Sequence, residues 1–77
     1  MKKGIHTVRF FAKSGKHRKQ IGQVVFVAST GEYAIREAIK TAKSGAREYG
    51  RILVVIKKDD RRFNEGERII YKKSFAA

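Results

Sequence analysis

The sequence predicts a small α+β domain: a four-stranded antiparallel sheet of two β-hairpins with one α-helix between them (ββαββ), the helix packed on one sheet face. Three observations predict it. Residues 5–13 alternate apolar and polar with β-branched and aromatic content, as a half-buried strand does. Residues 29–49 repeat their apolar positions at helical spacing, with cap signals at both ends. Residues 52–56 are a continuous apolar run, Ile52-Leu53-Val54-Val55-Ile56, the pattern of a strand covered on both faces. The chain has 77 residues and no proline. It shows no repeat or linker, so 1–77 reads as one domain.

In the first strand, Ile5 to Lys13, His6, Val8, Phe10 and Ala12 share one face; Thr7, Arg9, Phe11 and Lys13 share the other. Ser14-Gly15 breaks it, and Lys13 to Gln20 reads as a polar, basic tip. Ile21 to Ala28 is the second strand, closing an antiparallel hairpin. Ser29 followed by Glu32 fits a capping box at the helix start, and Gly50 fits the C-terminal stop. Ile35, Ala38, Ile39, Ala42, Ala46 and Tyr49 form the expected apolar stripe. Gly45 weakens the last turn by about 1 kcal/mol relative to Ala, so fraying is expected from Ser44. The third strand is Arg51 to Lys58. A polar segment with a turn at Asn64-Glu65-Gly66 leads to the fourth, Arg68 to Phe75.

Charge is the strongest functional signal. Nineteen Lys and Arg oppose seven Asp and Glu, a net +12. The first 28 residues hold seven basic side chains and no acid. Self-repulsion at this density opposes compaction, and a polyanion would relieve it. Three basic clusters are candidate nucleic-acid contacts. Lys13, Lys16, His17, Arg18 and Lys19 crowd the first hairpin tip. Arg36, Lys40, Lys43 and Arg47, spaced four, three and four, form one helix ridge roughly 16 Å long. Lys57, Lys58, Arg61 and Arg62 lie in the second hairpin, partly neutralised by Asp59 and Asp60. Such clusters hold phosphates.

One helix covers one face of the sheet. Phe11, Val25, Val27, Leu53, Val55 and Ile70 suggest that the other face is apolar too, and an open apolar face marks an interaction site. It suits a homodimer, another protein, or stacked bases.

Enzyme chemistry finds no support. His6 reads as an edge residue and His17 as part of the basic tip. No nucleophile motif, metal-ligand spacing or phosphate-cradling glycine loop is present. A chain this size buries only about 60% of its unfolded surface, against the usual pocket of about 300 Å³ or more. No cofactor and no small-molecule substrate is expected. The chain has no cysteine, so no disulfide, which suits the cytoplasm. Met1-Lys2-Lys3 is followed by no apolar signal segment, and no run is long enough for a membrane. The leading expectation is a non-enzymatic nucleic-acid-binding protein for DNA or RNA. The rivals are a small phage- or plasmid-type module that binds a protein, acidic or otherwise, and a ribosome-associated protein.

Overall fold

The computed structural model describes residues 4–59 and 67–76. Within them the chain forms β1 (Gly4–Ser14), β2 (His17–Ser29), α1 (Gly31–Tyr49), β3 (Arg51–Asp59) and β4 (Glu67–Ala76). The strands make one antiparallel sheet in the order β2-β1-β3-β4, the expected α+β arrangement. β2 and β3 both run antiparallel to β1 and hence parallel to each other. α1 is the crossover between them, with β1 filling the gap. The turn expected at Asn64-Glu65-Gly66 lies outside the described residues.

The first hairpin is tighter than expected. Ser14 pairs with His17, so the loop is Gly15-Lys16 alone, and His17 to Gln20 belong to β2. Gly15 has φ 61°, and Lys16 does not share the positive φ. That is the signature of a type II′ turn, whose twist matches the strands it joins. A side chain at Gly15 would strain it.

The helix start also differs. The cap is Thr30, whose hydroxyl accepts from the Tyr33 backbone N–H at 3.2 Å. Ser29 instead ends β2, where its Oγ and His6 Nδ1 share a hydrogen bond of 3.0 Å. The sheet claims Ser29, and the neighbouring hydroxyl takes the cap. The helix runs to Tyr49, as the Gly50 stop predicts, rather than ending near Ser44. Gly50, at φ 88°, closes it by donating its N–H to the Ala46 carbonyl at 2.8 Å, as a left-handed C-terminal residue does.

The buried side of α1 is a column of alanines: Ala34, Ala38, Ala42 and Ala46 are each at most 1% exposed. Ile35 packs beside it as a partly buried residue, whereas Tyr49, expected in the stripe, is 48% exposed. Alanine lets the helix backbone sit close to the sheet. There it meets Val8, Phe10, Ile52, Val54 and Ile56. α1 lies chiefly over β3, less over β1 and β4, and least over β2.

Two ladder irregularities complete this core. Phe10 pairs with Gly22 but Phe11 with Gln20, so Ile21 is an extra residue. Ile56 pairs with Tyr71 but Lys57 with Ile69, so Ile70 is another. Bulges of this kind re-aim a side chain. Both isoleucines pack against the helix-side cluster. Ile70 therefore does not line the open face as expected; it lies 3.5 Å from the Cβ position of Gly31 at the helix start.

His6 is not an edge residue. It sits on β1, a central strand, and is 1% exposed. Burial and the nearby Lys58 charge push its pKa below the ordinary 6.5, against a hydrogen bond with the Gly4 backbone that raises it. The imidazole is thus held neutral in the folded state.

Candidate nucleic-acid interface

Strand alternation and register set what the helix-free face presents. One row across β2, β1, β3 and β4 reads Gln23, Arg9, Val55, Lys72; the next reads Gln20, Phe11, Leu53, Ser74. Towards the far end lie Val25, Thr7, Lys57 and Ile69. Towards the turn, Lys13 pairs with Arg18.

This face is less apolar than expected. Leu53 and Val55 face away from the helix yet are only 5% and 7% exposed. Their flanking residues on the same face include Arg9, Arg18, Lys57 and Lys72, long side chains able to cover apolar neighbours with their aliphatic stems. Phe11 is half-buried, with the Arg18 guanidinium 5.1 Å from its ring centroid. The exposed apolar residues are peripheral: Ile5 near the start of β1, Val25 and Val27 on β2 and Ile69 on β4.

The cations of this face converge. Lys13, Lys16, Arg18 and Lys72 surround an open depression of about 690 Å³ whose lining is completed by Gly15, Leu53, Lys73 and Ser74; Lys73 pairs with Val54 and so belongs to the helix side, its Nζ lying 5.5 Å from the Phe75 ring centroid. It adjoins a smaller one of about 140 Å³, lined by Arg9, Phe11, Arg18, Val55, Lys57, Ile69 and Lys72. Arg18 and Lys72 belong to both. Together they form one trough with six cations of this face and, among the described residues, no acid in its lining, floored by Phe11, Leu53 and Val55. The turn and the start of β2 bring Lys16 and Arg18 to this floor, and β4 supplies Lys72 from the opposite edge.

The other expected contacts scatter. His17 and Lys19 are exposed near the turn, but Lys19 pairs with Ala12 on the helix-side face. Lys58 pairs with His6 and also belongs to that side. Arg36, Lys40, Lys43 and Arg47 are all exposed, about 150° around the helix from the alanine column at 100° per residue. They point away from the trough. Lys40 is also bridged to Glu37 at 3.2 Å. Arg61 and Arg62 lie outside the described residues. Arg9 and Lys72 lie outside the three basic clusters, and strand alternation alone says only that Lys72 and Lys73 face opposite ways; the register gives Lys72 to the trough and Lys73 to the helix side.

Among the described residues, no group of three or more His, Cys, Asp or Glu is placed to hold a metal ion, and no helix is long and apolar enough to cross a membrane. A further open groove of about 580 Å³ lies between α1 and β2, with Phe10, Ile21, Gly22 and Ile52 along it and Glu37, Lys40 and Thr41 on its helix wall. No protein-family model, curated protein or solved structure matches the chain.

Proposed function

We propose that the sheet face opposite α1 is a nucleic-acid-binding surface, with phosphates held along the trough by Lys13, Lys16, Arg18 and Lys72. The observation that carries this reading is the convergence of those cations from two different hairpins, with no acid among the described residues that line the trough. Aligned like charges repel, and a row of phosphates removes that repulsion while releasing its own counterions. The Arg18 guanidinium, seated over the Phe11 ring, offers a planar cation on which a base stacks. Contacts of this kind position a backbone and carry little sequence information.

The test is a salt-titrated binding assay on single-stranded DNA, duplex DNA and RNA. Neutralising six phosphates on duplex DNA gives log K against log[salt] a slope of about −5. Replacing Lys16, Arg18 and Lys72 with alanine lowers its magnitude by about 3 if each meets one phosphate. A slope near zero, or an unchanged slope in the triple variant, overturns the reading. Preference for an acidic protein over all three nucleic acids makes the same trough a protein-docking site instead. Preference for RNA points to a ribosome-type partner.

A further inference from the structure

We propose that Gln20 and Gln23 read unpaired adenine bases, a selectivity that rests on the trough being a nucleic-acid surface. Contacts to phosphate hold a strand without naming its bases, so selectivity needs groups of another kind on the same face. In a regular strand, two residues three apart point to opposite faces. On β2 these two do not. Gln20 pairs with Phe11 and Gln23 with Arg9, two residues of β1 that both face the trough, because Ile21 is the extra residue between them. The slip that turns Ile21 towards the helix thus sets both amides on the binding face, in adjacent rows about 7 Å apart. Bulges recur beside functional sites for this kind of re-aiming.

Their surroundings point to a base edge. Both side chains are exposed, and neither amide has a hydrogen-bond partner among the described residues. Residues 20–31 carry no charge, so this stretch of the β2 bank holds no cation for a phosphate. An amide offers a donor and an acceptor side by side. The stacking plane is next to Gln20. The Arg18 guanidinium lies over the Phe11 ring, 5.1 Å from its centroid. Gln20 is the direct cross-strand partner of Phe11, with Cβ atoms about 5 Å apart. A base stacked on Arg18 therefore has its edge within reach of Gln20, and the neighbouring base falls to Gln23. Adenine carries its N6 donor beside its N7 acceptor, the pattern that a glutamine amide matches with two bonds. Pyrimidines have no such pair on that edge.

The test uses short, dye-labelled thymidine strands, with and without two adjacent central adenines, read by fluorescence anisotropy over a salt series. The wild-type chain is expected to bind the adenine strand about fivefold or more tighter for each adenine read. Gln20→Ala combined with Gln23→Ala is expected to lower that affinity to the level of the plain strand, with the circular dichroism spectrum and the salt slope unchanged. In the wild type, 7-deazaadenine keeps the ring and the N6 amine but lacks N7, and should abolish the preference in the same way. Purines also stack more strongly than pyrimidines. A preference that survives in the double variant, or with 7-deazaadenine, is therefore stacking alone and overturns the proposal. Equal affinity of the wild type for both strands, with a steep salt slope, overturns it and leaves the trough standing. A slope near zero for both strands defeats the trough itself, and the proposal with it.

Discussion

The two faces of this sheet come from the same four strands, and alternate residues of one strand lead opposite lives. On β1, Val8 and Phe10 are buried under α1, while Arg9 and Lys13 between and beyond them line the cationic trough. The helix side is closed by small side chains fitted to each other. The other side carries long cations around the nearly buried Leu53 and Val55. Stability and recognition are thereby assigned to opposite faces, one residue apart, and substitutions can separate the two.

The largest effect is expected on the helix side. Ile56→Ala removes a fully buried side chain and should cost about 2–5 kcal/mol, a large part of the roughly 4 to 12 kcal/mol available to a chain this size. Ala42→Leu should cost about 1–3 kcal/mol by forcing the helix off the sheet. Urea midpoints measure both. If Ala42→Leu is neutral, the column is not a close-packed seam. Trough binding at a salt and temperature where these variants stay folded should be unchanged.

A smaller effect concerns His6. Its folded pKa lies below 6.5, so the unfolded chain takes up the proton first. The neutral imidazole's contribution is complete above the unfolded value and is lost as pH falls from about 6.5 towards the folded value. The melting temperature should fall between neutral pH and about pH 5, before most carboxylates titrate, and His6→Gln should flatten that slope. An equal slope in the variant would remove His6 as its cause.

The smallest effect is expected on the outer side of α1. Alanine at Lys40, Lys43 and Arg47 should change stability by no more than about 0.5 kcal/mol and leave the salt slope of binding unaltered. A slope reduced as much as by the trough substitutions would place the anion on the wrong side of the molecule and break the contrast between the faces.

Much of the fold was legible because each element carries a local signature: alternation in β1, the apolar run of β3, the glycine after α1. The misread points are those where tertiary demand chose between local equals. Ser29 and Thr30 both cap helices, and the buried His6 decided between them. Ile21 and Ile70 follow strict alternation on paper, and a one-residue slip in each edge strand turned both towards the helix. His17 to Gln20 look like loop because they are polar, yet a two-residue turn placed them in a strand. The site was half legible. The tip cations stood out as a cluster, but Arg18 and Lys72 are 54 positions apart in the chain and meet only through the order β2-β1-β3-β4.

The Gly15-Lys16 turn has a kinetic consequence. A basic loop of eight residues would have to be ordered at each encounter with a ligand, at roughly 1–2 kcal/mol per residue fixed. Here that ordering belongs to folding, and Lys16 and Arg18 meet an anion already held between paired strands. Only side-chain torsions are left to settle, so capture should proceed in a single fast phase without a slow rearrangement after contact.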